Sequence, residues 1–173
     1  MTASFASFDA PGRQRIVQLI NKTNQFNLTT RRYTETEVRD FEADAAAMTL
    51  QVRLADRFGD AGMIAVIICV PVPGAAATWN IDSWLMSCRV LGRNVEAATL
   101  CVIAGKAKTM NVKRLVGTYI PTGKNMLVAN HYGKLGFTQV AKAADGTTRW
   151  ELDPGTYATP DLPMRLVVEA MSG

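Results

Sequence analysis

The run Met63 to Val70, MIAVIICV, constrains this chain more than any other stretch. It is apolar throughout and Pro71 ends it. It is far short of the ~18 residues that cross a bilayer. A segment this apolar has no face to offer to water, so it predicts a strand at the centre of a sheet. The neighbouring patterns agree. Met48, Leu50, Val52 and Leu54 alternate with Gln51 and Arg53, which predicts a second strand. Thr78–Cys88, Arg114–Ile120, Phe137–Lys142 and Thr148–Leu152 predict four more, the last two joined by the turn pair Asp145-Gly146.

Helices are predicted between them. Arg13–Asn24 carries Ile16, Leu19 and Ile20 on one face. Thr34-x-x-Glu37 is a capping box opening a helix with Val38 and Phe41. Asn94–Met110 is apolar nearly all round, the pattern of a helix buried against a sheet. Leu127–Leu135 is short and stops at Gly136. RLVVEA, after a proline-rich tail, reads as an edge strand or a docked end. Residues 1–12 read as a loose lead-in and 13–173 as a single domain. The order lacks a regular β-α repeat, which argues for an α/β or α+β domain and against a Rossmann fold.

Length and charge narrow the function. The 173 residues suit one domain with a full core. A net charge of +4 suits an anionic ligand or an acidic partner. There is no long Lys/Arg block, and the Arg31-Arg32 pair is too short for a nucleic-acid surface. Three cysteines, an odd count, give no disulfide framework, and Cys69 and Cys101 read as buried thiols. The first residues lack a signal-peptide pattern, so the expected compartment is the cytoplasm, with no membrane contact. One histidine and scattered cysteines predict no metal site.

The chemistry-bearing stretch is Ser87–Ala98, SCRVLGRNVEAA. A strand, then Arg89-x-x-Gly92, then a helix is a recipe for holding phosphate. Helix N-termini present unpaired N–H groups, and glycine lets the backbone come close. Arg89 and Arg93 add charge. The alternative reading is an ordinary turn with two solvated arginines.

Together with Asn125-x6-Tyr132 and Leu135-Gly136-Phe137, this stretch resembles the GNAT superfamily of acyl-CoA-dependent N-acyltransferases. Four blocks, KTNQFNLTTRRYTETEV, VRLADRFGDAGMIAVII, IDSWLMSCRVLGRNVE and RLVGTYIPTGKN, resemble the C-terminal part of FkbH-like proteins more specifically. The resemblance implies a GNAT fold with a mixed, mostly antiparallel sheet. It implies handling of a pantetheine thioester, from coenzyme A, acyl-CoA or carrier-bound 4'-phosphopantetheine. For the FkbH-like proteins it implies loading of a glyceryl-type unit onto an acyl carrier protein, for polyketide extender units, beside a HAD-type phosphatase. The chain has no Asp-x-Asp-x-Thr phosphatase motif.

Residue roles follow from that resemblance. Trp84, Leu85, Met86 and Cys88 would lie along the arm, with backbone N–H groups near Leu85 or Met86 polarising the carbonyl. Arg89, Val90, Leu91, Gly92, Arg93, Asn94 and Val95 would form the phosphate loop. Asn94 stands where the superfamily has glycine or alanine, so its side chain is expected to crowd a pyrophosphate. Asn125 would hold the arm and Tyr132 would be the general acid. Asn24, Gln25, Phe26, Asn27, Thr29, Arg31 and Arg32 would shape the acceptor site, the arginines pairing with a carboxylate or phosphate.

Three further groups are candidates by type. Asp82 is a candidate base, with Asp56 and Asp60 behind it. Cys88 is a candidate nucleophile, although an ordinary thiol is the simpler reading. His131 is set on another helix face from Tyr132 and reads as a surface residue. Three functions remain open: a thioester acyltransferase serving a carrier protein, a non-catalytic docking module for the carrier arm, and an acetyl-CoA-dependent N-acetyltransferase.

Overall fold

A computed structural model describes residues 1–170. Residues 171–173, the last of the predicted domain, lie outside the described residues. The strands are β1 (Thr2–Ala6), β2 (Met48–Asp56), β3 (Gly59–Pro71), β4 (Thr78–Met86), β5 (Arg114–Tyr119), β6 (Thr138–Lys142), β7 (Thr148–Leu152) and β8 (Arg165–Val168). The helices are α1 (Arg13–Lys22), α2 (Glu35–Ala43), α3 (Val95–Thr109) and α4 (His131–Lys134). The strands form one sheet in the order β6-β7-β5-β4-β3-β2-β1-β8. It is antiparallel except for β4 with β5 and β1 with β8.

The MIAVIICV run lies inside β3, near the middle of that order, as its apolarity requires. Met63, Val66 and Ile68 face one layer, with Ile16, Leu19 and Ile20 of α1 and Val38 of α2. Ile64, Ile67 and Cys69 face the other, with Leu100 and Ile103 of α3 and Tyr132 of α4. The Thr34–Glu37 capping box is formed in both directions. Cys69 is buried, but Cys101 is only half-buried, its Sγ 3.9 Å from the Tyr157 hydroxyl.

Two expectations change. Residues 1–12 are not a loose lead-in. Thr2–Ala6 pairs with β2 on one side and β8 on the other, and Ala3 and Phe5 enter the core. A five-residue strand of small side chains around one phenylalanine has little pattern of its own, and its partners lie far along the chain. The predicted 127–135 helix is broken into a 3-10 turn, Met126–Val128, and the single turn α4. RLVVEA supplies the edge strand β8, parallel to β1.

Candidate active site

The site begins where the sheet opens. β4 and β5 run parallel from Thr78 and Arg114 to Ile81 and Gly117, and their pairing ends there. On the other side of β4, Cys69 faces Ile81 and Ile68 faces Ser83, so Asp82 is an extra residue in the register. Such a bulge bends its strand, and here it turns β4 away from β5.

The chain fills that gap with its own backbone. In the loop after α1, Leu28 N–H donates to the Trp84 carbonyl at 3.2 Å and Met86 N–H donates to the Phe26 carbonyl at 3.0 Å. Asn27 forms the bridge between them, opposite Leu85. Ile120 N–H then donates to the Leu28 carbonyl at 2.9 Å, which stitches the segment to the end of β5. Phe26 and Leu28 are buried in the core. Asn125 locks the arrangement. Its Nδ2 donates to the carbonyls of Asn27 and Ile120, both at 2.9 Å, and its Oδ1 accepts from Thr122 N–H at 2.7 Å.

Trp84, Leu85, Met86 and Asn125, expected along a pantetheine arm, all have partners within the chain. Met86 N–H and the Trp84 carbonyl are already paired, and Leu85 faces Val66 of β3. The Asn125 amide holds the protein's own loop. The physical reason is that a free strand edge leaves backbone groups to be paired, and the α1–α2 loop pairs them.

Two cavities flank Phe26. The first, of about 360 Å³, lies between the start of α3 and the 127–135 segment. Leu91, Gly92, Asn94, Glu96 and Ala97 form one wall; Leu127, Val128, His131, Lys134 and Leu135 form the other. Gly92 has φ +77° and Asn94 φ +60°. Asparagine is among the few non-glycine residues that hold this left-handed conformation readily. Asn94 thus reproduces the backbone turn of a glycine, and its side chain forms wall.

The charges fall differently from the expectation. Arg93 pairs with Asp56 at 2.9 Å and Arg89 Nε donates to Ser87 Oγ at 3.2 Å; neither lines the cavity. Val90 and Val95 are buried in the core. The cation on the cavity wall is Lys134. Glu96, in the first turn of α3, also lines it; it suits the helix end and opposes an anion beside it.

At the inner end stand five aromatic rings. His131 meets Trp84 edge-on at 4.4 Å and Phe26 at 5.2 Å between ring centroids. Its neighbour Tyr132 packs on Trp84 and Phe137 and is 1% exposed. A Cβ at Gly117 would sit 2.5 Å from the Tyr132 ring, so the ring lies flat on the β5 backbone. Trp84 Nε1, His131 Nε2 and Tyr132 Oη are buried with no hydrogen-bond partner. Three orphaned polar atoms in one cluster are unusual in a packed core. Burial holds the Tyr132 hydroxyl well above its ordinary range. Burial, with Lys134 nearby, pushes the His131 imidazole down to about 3, so it is neutral. His131 is not the surface residue expected: it lines the cavity, while Tyr132 is buried behind it and does not line it.

The second cavity, of about 370 Å³, lies on the other side of Phe26. It is lined by Lys22 at the end of α1, Asn24 and Gln25 from the loop, Met86 at the end of β4, and Ser87 and Cys88 just beyond it. Asn24 and Gln25 thus face a cavity. Cys88 is exposed on its wall, with His131 on the far side of Phe26 and no base beside it.

The remaining predicted residues are engaged in structure. Asn27 Nδ2 donates to Thr23 O at 3.2 Å, and Thr29 Oγ1 to the Asp82 carbonyl at 2.9 Å. Arg32 donates to the carbonyls of Ile20 and Thr23 at the end of α1, as a helix cap does. Asp82 receives Arg31 at 3.1 Å, the Tyr33 hydroxyl at 2.6 Å and Ser83 Oγ at 3.0 Å. An acid held by three donors is an anchor for the α1–α2 loop, not a free base. Asp60 accepts from Gly62 N–H in the β2–β3 turn. Among the described residues no cluster of His, Cys, Asp or Glu is arranged to hold a metal, and no helix is long and apolar enough to cross a membrane.

No family model and no curated protein matches this chain. Solved structures do. Phosphinothricin acetyltransferase of the GNAT superfamily from Sinorhizobium meliloti, in complex with acetyl-CoA, is 14% identical over 88% of this chain and 89% of its own, with a TM-score of 0.67. The GNAT domain of PAT from S. lividans is 18% identical over 86% and 89%, with a TM-score of 0.66. Spermidine N-acetyltransferase from Vibrio cholerae, in complex with CoA and spermine, is 10% identical over 88% and 96%, with a TM-score of 0.66. The chain has the GNAT fold, with the mixed, mostly antiparallel sheet expected.

Proposed function

We propose that this chain binds the phosphopantetheine arm of a thioester in the first cavity and serves acyl transfer from it. The observation that carries this is the position of that cavity. Its wall includes Phe26, which pairs with β4 beyond the end of the β4–β5 ladder, and the start of α3, which is turned by left-handed Gly92 and Asn94 and presents its first N–H groups. The residues fit part of such an arm. Gly92, Asn94 and Ala97 would hold its phosphate end, and Leu91, Leu127 and Val128 its apolar stretch. They do not fit an arm extended along Trp84–Met86, because Phe26–Leu28 occupies that edge.

The finer reading rests on the four sequence blocks that resemble FkbH-like proteins. It is transfer of a glyceryl-type unit to an acyl carrier protein in the cytoplasm, beside a HAD-type phosphatase. A net charge of +4 suits an acidic carrier. The closed β4 edge and the buried Tyr132 favour a second reading, a docking module that holds the carrier arm without catalysis. The acetyl-CoA-dependent N-acetyltransferase reading stands equally, since Asn94 no longer opposes it and two of the similar structures hold CoA or acetyl-CoA.

The test is a calorimetric titration of the protein with coenzyme A, acetyl-CoA and a phosphopantetheinylated carrier protein. Ala97→Phe, which fills the cavity from a half-exposed position, is the control. Saturable binding that Ala97→Phe abolishes supports the site, and no binding by any of the three sinks it. Acyl transfer to the carrier, to an amine or to neither then separates the three readings.

A further inference from the structure

Accepting an arm in the first cavity, the structure decides where its sulfur end stops. The cavity runs from the start of α3 inward to Phe26 and His131. Beyond them the gap between β4 and β5 is closed by Phe26–Leu28, held by three backbone hydrogen bonds and by the Asn125 amide. Tyr132 lies past that closure, flat on Gly117, and reaches none of the described cavities. The last polar side chain an arm meets is His131, 6% exposed, with Nε2 unpartnered.

We propose that His131, and not Tyr132, is the side chain that meets the sulfur end of the arm. Phe26 and Trp84 hold the imidazole edge-on from two sides, so its orientation is set before any ligand arrives. The ring is neutral, and a neutral imidazole carries one donor and one acceptor nitrogen. It therefore suits a thioester carbonyl or a thiol and gives no charge attraction to a phosphate. The groups around it are Phe26, Trp84 and Tyr132, with Lys134 beside it and Glu96 on the opposite wall of the cavity.

His131 is the only histidine in the chain, so its ring can be followed without assignment. The experiment labels the full protein with 15N-histidine and 13C-tyrosine and titrates it with coenzyme A, acetyl-CoA and, separately, the phosphopantetheinylated carrier. The expected result is a saturable shift of the His131 ring nitrogens, with the same midpoint as the backbone amides of Gly92 and Ala97, and unmoved Tyr132 ring signals. His131→Phe should then weaken acetyl-CoA binding about fivefold, the loss of one hydrogen bond, while Tyr132→Phe leaves it unchanged. His131→Gln, which keeps a donor and an acceptor, should restore most of the loss. Shifts at Gly92 and Ala97 with a silent His131 and a moving Tyr132 would overturn this assignment and leave the binding site standing. Silence at Gly92 and Ala97 with every ligand would overturn both. Response to the carrier alone would keep His131 and identify a tethered arm as the source.

Discussion

Single residues at the gap carry consequences that differ by role. Asn125 satisfies two buried carbonyls and one N–H at the junction of β5 and the α1–α2 loop. Asn125→Ala leaves those groups unpaired, and urea unfolding should show a loss of about 2–4 kcal/mol. Gly117→Ala drives a methyl into the Tyr132 ring and should cost about 1–3 kcal/mol by the same measurement. His131 adds a pH dependence. Its folded value of about 3 lies below the ordinary 6.5, so the unfolded chain takes up a proton that the folded chain refuses. Stability is unaffected above 6.5 and falls as pH drops from there toward 3, by up to about 1.4 kcal/mol per pH unit. Unfolding of the protein and of His131→Leu, compared at neutral pH and near pH 5, should show that gap in the protein and a smaller one in the variant.

Elements set the geometry that these residues use. The start of α3 depends on a left-handed Asn94. Asn94→Gly should leave thermal stability and ligand binding intact, whereas Asn94→Val should lose about 1–2 kcal/mol and displace the helix start. The pattern around this turn was legible in the sequence as Arg89-x-x-Gly92 before an alanine-rich run. What could not be read was which charges face inward. Arg93 is drawn outward by Asp56, at the end of β2, 37 positions away. The 127–135 segment was legible as a short helix, but its break decides that His131 faces the cavity and Tyr132 the sheet.

At the scale of the whole molecule, the sheet is held together by segments far apart in sequence. β1 lies between β2 and β8 and brings Phe5 into the core. Deleting residues 1–6 strips a strand from both neighbours, and the truncated protein should lose cooperative unfolding in a thermal melt followed by circular dichroism.

The sequence by itself determined the central strand, the alternating strands beside it, the capped α2, the buried α3 and the turn before it. Each is a matter of local periodicity or local backbone preference, and these act within a few residues. Only the tertiary structure decided that β1 is a strand, that Phe26–Leu28 closes the gap Asp82 opens, and that Arg31, Arg32 and Asp82 anchor a loop. Each of those depends on a partner beyond the few residues over which local periodicity acts, from about ten positions for Arg32 to dozens for the others. Polar side chains look alike in a sequence whether they wait for a ligand or satisfy the backbone, and only the position of the competing donor or acceptor tells them apart.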